Sequence, residues 1–391
     1  DFEKIAPESI DAIMHHGGTC LGPGRGMLKR DEFINMRRLQ HEIGFIGTAV
    51  VGWDGTLSGS QALQYSLGED MRPVADTVAC IKTIDGDAEG SIAIGFETSA
   101  NAYAHAIKAT IREVQWESGV GVIWVYGRDN GHLALHASTL AAQSEKICPV
   151  VTLVPEFRIS REHFLDIVRQ IKEKYGYVCI VASEGFAFEH EEQRIDTKKR
   201  DGAWNPKLLG CVEIIEEIIA RDTVLQEQWK FSIRTLEPGI ATRSCDPVES
   251  DIQLAKTVGE AVAKVIEQGA WGHVVNMQGS FREGFRPVVR PLWEVHTGNP
   301  VTQEEYNPHI LWPTRAYRDH VAEQNPVFYP LTDMSQIEAQ KQTHEALIAR
   351  IATGELVHHN GVHVPQWAIQ EGEAEREKPT LWYGPLSKMQ G

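Results

Sequence analysis

Two rhythms alternate along the chain. Short aliphatic runs end in turns rich in glycine and aspartate, and longer stretches between them repeat apolar residues three and four apart. The runs within "GFIGTAVVGWDG", "DTVACIKTIDGD", "GVGVIWVYGRDNG", "ICPVVTLVPE" and "YVCIVASEG" read as buried strands. The stretches "DEFINMRRLQHEI", "TSANAYAHAIKATIREVQW", "SREHFLDIVRQIKEKYG", "LGCVEIIEEIIARDTVLQEQ" and "ESDIQLAKTVGEAVAKVIEQG" read as amphipathic helices, the last closed by Gly269. This alternation predicts an α/β fold with parallel sheets covered by helices. Ligands in such folds gather at the carboxyl ends of strands, where the turns GWDG, TIDGD, YGRDNG and SEG all fall. One segment, "FEHEEQRIDTKKRDGAWNP", breaks the rhythm and reads as an exposed insertion or lid. After about Arg290 the rhythm stops. The aromatic "HILWPTRAYRDHVAEQNPVFY" is expected to pack against the body or a neighbouring subunit, and the charged tail beyond it reads as a peripheral extension.

Composition narrows the partners. The 391 residues carry a net charge of −16, which speaks against a nucleic-acid or anionic-membrane partner, since phosphate binding needs a basic face. An anionic small molecule would have to be held by a few locally placed cations. Six cysteines lie scattered without a CxxC pair, which suits free thiols in a reducing compartment better than disulfides or zinc. No apolar run reaches membrane-spanning length and no signal-peptide pattern opens the chain, so a cytoplasmic enzyme is expected. The pairs His15–His16 and His358–His359 point apart and lack a third ligand at useful spacing.

The chemistry concentrates in glycine-bearing turns. "HHGGTCLGPGRG" and "GWDGTLSGS" let backbone N–H groups approach phosphate oxygens, although neither the dinucleotide fingerprint nor the P-loop is present. Ser183 lacks the elbow of a hydrolase. "CIKTIDGDAEG" gathers Lys82, Thr83, Asp85 and Asp87 in one turn. The plain reading is a solvated loop. The sharper one has carboxylates handling a proton or a metal while Lys82 faces an anion.

Taken in order, these segments resemble the phosphofructokinase family. "GGTCLGPGR", "GWDGTLSGS", "KTIDGD…GFETS", "YGRDNGHLAL", "VASEG" and "PGIATRS" are similar to six of its motifs over roughly residues 10 to 280. The resemblance implies two Rossmann-like parallel-sheet domains: residues 1–97 with 241–290 on the donor side, 98–240 on the sugar-phosphate side, and 291–391 as a C-terminal extension like that of the longer, often pyrophosphate-using members. It implies transfer of a phosphoryl group to the C1 hydroxyl of fructose 6-phosphate, with Mg²⁺. Asp85 matches the general base, Thr83 a hydroxyl near the phosphoryl in flight, Arg25 an arginine stabilising it, and Lys82 a cation for the donor. Asp87, Gly127, Arg128, Glu184 and Arg243 match the sugar-phosphate side. Arg234 matches a residue that often reaches a neighbouring subunit's site, which implies a homo-oligomer, dimer or tetramer. Gly18, Gly55 and Thr56 match donor-binding positions, and Asp54 matches the residue that helps hold the metal.

Three departures stand against this pattern. Trp53 replaces a glycine of the GGDG turn, where its ring either obstructs the donor phosphates or packs away from them. The family's opening strand and its GGD-type turn have no counterpart, so either an N-terminal piece is missing from the sequence, the favoured reading because an unfilled sheet position is costly, or that part of the donor site has been lost. Tyr126 replaces a methionine, and Gly119 falls where short members place an arginine. The donor stays open: Gly55 is ATP-like, whereas Lys82 and the wording around it slightly favour pyrophosphate. Alternatives are a non-catalytic subunit or sensor with a degenerate donor site, and a kinase for a related sugar phosphate such as sedoheptulose 7-phosphate.

Overall fold

A computed structural model describes residues 13–19, 38, 42, 44, 46–65, 75–144, 148–191, 195–200, 206–208, 210–228, 231–295 and 298–324. In chain order the described elements are β1 (Thr48–Gly52), α1 (Asp54–Tyr65), β2 (Thr77–Ile81), α2 (Phe96–Trp116), β3 (Val120–Val125), α3 (His132–Ser144), β4 (Val150–Leu153), α4 (Arg161–Tyr175) and β5 (Val178–Ser183). They continue with β6 (Ile195–Arg200), β7 (Pro206–Leu208), α5 (Cys211–Arg221), α6 (Thr223–Gln228), β8 (Ile233–Leu236), α7 (Ile240–Arg243), α8 (Glu249–Glu267), β9 (His273–Ser280) and β10 (Gly284–Pro291). Two short strands, β11 (Tyr306–Asn307) and β12 (Trp312–Pro313), precede helix α9 (Arg315–Gln324).

Two four-stranded sheets organise the molecule. The first runs β1-β2-β9-β10, parallel except for the antiparallel β9–β10 pair; the second runs β4-β5-β3-β8 and is parallel throughout. Strands β2, β4 and β5 are buried at every position, as parallel strands covered on both faces require. The largest core lies around the second sheet, where Ile107 and Ile111 of α2, Leu133 and Leu140 of α3, and Phe164 and Val168 of α4 close over it. A smaller core joins the first sheet to α8 through Val258, Val262 and Val265.

Local signals set the helix ends. Ser160 caps α4 by accepting the N–H of His163 at 3.1 Å, and Gly176 closes it in the left-handed conformation at φ 81°. The N-terminus of α2 is served from far away in sequence. Asp251 of α8 accepts the N–H of Gly95 (2.9 Å), the N–H of Thr98 (2.8 Å) and the Thr98 hydroxyl (2.5 Å).

The sequence reading differs from the fold in three places. The stretch 209–228 divides into α5 and α6 because Asp222 breaks it, its carboxylate accepting the N–H of Leu225 at 2.8 Å as a new cap. β1 is only half buried, with Val51 58% exposed, since no strand pairs its outer edge among the described residues. Within the expected insertion, β6 and β7 form an antiparallel hairpin. The helix read over 31–43 and the tail beyond 324 lie outside the described residues, apart from positions 38 and 42.

Five cysteines are free, four of them buried, and Cys20 lies outside the described residues. No described helix is long and apolar enough to cross a membrane.

Residues 298–324 are built into the body. Trp312, Tyr306 and Leu311 are 2%, 1% and 0% exposed, and the Tyr306 hydroxyl donates to Thr152 O of β4 at 2.6 Å.

Candidate active site

The turns at the carboxyl ends of β1, β2, β3 and β5 bring their charged side chains within electrostatic reach of one another. Asp85, after β2, feels the negative charge of Asp129, after β3, as well as the positive charges of Lys82 and Arg243. Glu184, after β5, feels Arg128, Asp85 and Asp129. Asp54, at the start of α1, acts on both Asp87 and Asp129. Residues proposed for both halves of the reaction thus share one electrostatic neighbourhood.

Asp85 sits in a local clasp. Thr83 is buried; its hydroxyl donates to Asp85 Oδ2 at 3.2 Å and accepts the Asp85 N–H at 3.1 Å. Burial pushes the Asp85 carboxyl above the usual range, and the Thr83 hydrogen bond, Lys82 and Arg243 pull it back. Asp87 is pushed up to about 6, chiefly by burial. Lys82 is exposed by surface area yet stands in a recess crowded enough that desolvation lowers its ammonium; Asp85 opposes that shift and Arg243 adds to it. An accessible cation in such a recess suits an anionic ligand.

The β3 and β5 turns form the other side of this neighbourhood. Gly127 has φ 135°, and a Cβ there would strike Asn130 O, so the sharp turn before Arg128 accepts only glycine. Glu184 is raised by burial and stabilised by Arg128 and by a backbone N–H at Gly127. Arg243 is exposed, with its guanidinium 5.3 Å above the centre of the Tyr126 ring. The substitution of tyrosine for methionine therefore gives Arg243 an aromatic platform.

Trp53 resolves in the same way. It is 8% exposed and packs among Leu57, Ala79, Ile81, Ala88, Ala93, Val274, Leu292 and Val295. Asp54 and Gly55 remain exposed at the start of α1, where a Cβ on Gly55 would meet nothing. Thr56, in the first turn of that helix, packs against Gly52. Helix N-termini favour anions, and this one opens beside the acidic turn. Gly18, at φ 84°, belongs to a turn set against the end of α7: the Gly17 N–H donates to Asp246 Oδ1 at 3.2 Å.

Not every expected residue joins this group. Arg234, on the edge strand β8, is exposed and held by both carboxylate oxygens of Glu117. Arg25 lies outside the described residues.

Other residues were not anticipated. Asp129 adds a carboxylate from the GRDNG turn. The segment 298–305 straps the two sides together: the N–H groups of Gly298 and Asn299 donate to Asp87 O at 3.3 and 3.1 Å, while Asn130 Nδ2 donates to Asn299 O. Glu156 Oε1 accepts the N–H of Gly131 (3.0 Å) and of Val301 (2.8 Å), and His132 Nε2 lies 3.2 Å from Glu305. The asparagine in GRDNG was the one local hint of these contacts.

No described residues group three or more His, Cys, Asp or Glu side chains in a metal-holding arrangement. Magnesium asks less than that when phosphates supply ligands: one or two carboxylates and water suffice. Asp54, exposed and close enough to Asp87 and Asp129 for their charges to oppose one another, fits such a cation.

Comparison with known proteins identifies the family and the fold. The family model described as Phosphofructokinase matches residues 1–266. The chain is 32% identical over 276 residues to the ATP-dependent 6-phosphofructokinase of Trypanosoma brucei brucei, covering 69% of this chain and 54% of that one. It is 28% identical over 278 residues to the enzyme of the same name from Trypanosoma cruzi, again covering 69% and 54%. The chain thus spans about half the length of these relatives. Among solved structures, the pyrophosphate-dependent phosphofructokinase of Marinobacter aquaeolei superposes with a TM-score of 0.67 at 20% identity, covering 82% of this chain and 76% of that one.

Proposed function

The chain belongs to the phosphofructokinase family, and on that premise we propose that it transfers a phosphoryl group to the C1 hydroxyl of fructose 6-phosphate, giving fructose 1,6-bisphosphate. The observation that carries this reading is Asp85, clasped by Thr83 and within electrostatic reach of Lys82 and Arg243, at the carboxyl end of β2. A buried carboxylate beside an acceptor hydroxyl takes its proton as the new P–O bond forms. The bond to the leaving phosphate breaks with its electron pair, and the charge that develops there needs fixed cations rather than covalent chemistry.

Lys82 supplies one such cation, and Arg25 is assigned the same duty. The start of α1, with Gly55 and Thr56, and the Gly18 turn receive the donor. Asp54 would hold Mg²⁺, which when bound neutralises donor phosphate charge. On the acceptor side Asp87, Gly127, Arg128 and Glu184 orient the sugar, and Arg243 faces its 6-phosphate. Arg234, directed at Glu117 in its own chain, is assigned to a neighbouring subunit's site in a homo-oligomer. We place the protein in the cytoplasm and divide it as the resemblance implies: 1–97 with 241–290, then 98–240, then 291–391.

Lys82 favours pyrophosphate as donor, while exposed Gly55 leaves room for ATP. The burial of Trp53 among Leu57, Leu292 and Val295 supports a working donor side over a degenerate one. The test is formation of fructose 1,6-bisphosphate from fructose 6-phosphate and Mg²⁺, with pyrophosphate and ATP compared and sedoheptulose 7-phosphate as a rival acceptor. Turnover with either donor supports the reading. Absence of turnover with both, in protein shown to be folded, overturns it.

A further inference from the structure

Trp53 and Asp87 each keep one buried polar atom without a partner. Trp53 Nε1 is a donor only, Asp87 Oδ1 an acceptor when ionised, and neither meets a hydrogen-bonding group in strict geometry. Leaving such atoms unpaired is costly, so two complementary orphans side by side call for each other. They are close. The Trp53 ring shares its cluster with Ala88, the residue after Asp87, and the indole is near enough to oppose the effect of burial on the Asp87 carboxyl.

The surroundings leave the pair little freedom. Leu292 and Val295 cover the Trp53 ring from the C-terminal side of the chain. A few residues later, the Gly298 and Asn299 N–H groups fix the Asp87 carbonyl. With ring and main chain both held, the Asp87 side-chain torsions are what remains to be set.

We propose that Trp53 is a positioning residue that donates its indole N–H to the Asp87 carboxylate and so fixes that carboxylate beside Asp85. A carboxylate free to turn here would compete with Asp85 for the acceptor's proton or pair with Lys82. Held on the indole, it does neither, and Asp85 is left as the base. The use made of the fixed carboxylate rests on the function proposed above; the hydrogen bond itself does not.

The experiment is ¹H–¹⁵N NMR of the indole groups in the full chain, whose ten tryptophans give a resolvable set. Trp53→Phe, or Trp53→Tyr should the first fail to fold, assigns the Trp53 resonance by its loss. In Asp87→Asn that resonance should move upfield and lose protection from solvent exchange, because a charge-assisted bond becomes a neutral one. A Trp53 resonance that keeps its position and protection in Asp87→Asn overturns the proposal. This arm needs no turnover, so it stands apart from failure of the functional reading. Where turnover is found, Trp53→Phe should lower kcat roughly tenfold, the worth of one hydrogen bond to a charged group, with KM for the sugar phosphate within about twofold. An unchanged kcat overturns the positioning role.

Discussion

The guanidinium of Arg243 lies over the ring of Tyr126, 5.3 Å from its centre, and the two come from different elements, the end of α7 and the turn after β3. Arginine stacked on an aromatic face gains about 0.5–1 kcal/mol at an exposed site and keeps its donors free at the edges. Replacing Tyr126 by methionine should therefore raise KM for fructose 6-phosphate about two- to fivefold while leaving kcat nearly unchanged. Steady-state kinetics with sugar phosphate varied would check it. A loss confined to kcat would mean that Arg243 acts on the phosphoryl group in flight instead.

Asp85 should dominate the pH profile. Its carboxyl is raised by burial, and as the proposed base it must be ionised to act, so the acid limb of kcat/KM should lie above the range of an ordinary aspartate. Thr83 favours the ionised form through its hydroxyl, so Thr83→Val should move that limb to still higher pH. Asp85→Asn should cost about 10²–10⁴ in kcat. Profiles of the three proteins at saturating donor decide the matter.

Asp251 ties two sheets together by serving the first N–H groups of α2. It is 2% exposed and accepts three hydrogen bonds, at Gly95 and Thr98. Asp251→Ala should destabilise the fold by about 2–4 kcal/mol, since a buried cap is lost and its donors are stranded. Asp251→Asn, which keeps one acceptor oxygen, should cost less. Urea unfolding midpoints at constant slope measure both.

Lys172 has 0% of its surface exposed, and its ammonium donates to Ser118 O and to Gly176 O. Desolvation lowers its pKa from 10.5 to about 8. Between those values the unfolded chain binds a proton that the folded one releases, so this group's contribution to stability rises with pH across that window. Below about 8 both states are protonated and the folded state carries the penalty of a buried charge. The stability of the wild type relative to Lys172→Met should accordingly improve from pH 8 to pH 10, measured by unfolding at matched ionic strength. A flat difference would place the ammonium outside this account.

Much of the site could be read in the sequence because its parts are local. A strand, a glycine and a carboxylate lie within a few residues at GWDG, TIDGD, YGRDNG and SEG, and hydrophobic periodicity fixes which end of the strand they occupy. What the sequence did not yield were contacts between distant segments. Asp251 reaches Gly95 across 156 positions, and Asn130 reaches Asn299 across 169, with no motif marking either. Trp53 showed the limit from the other side: its identity flagged a departure, but whether the ring obstructs or packs depends on Leu292 and Val295, which no local pattern supplies. The break at Asp222 was missed because the helical periodicity continues on both sides of it.

Strand β9 has a consequence for how this protein can be divided. The stretch matched by the family ends at residue 266, yet β9 begins at His273 and lies between β2 and β10. The family model therefore stops short of a strand that the first sheet depends on. A fragment ending at residue 266 would bare the flank of β2, the strand that leads into Asp85, and an uncovered row of N–H and C=O groups recruits strands from other chains. Shortened in this way, the protein would be expected to polymerise before it could be assayed.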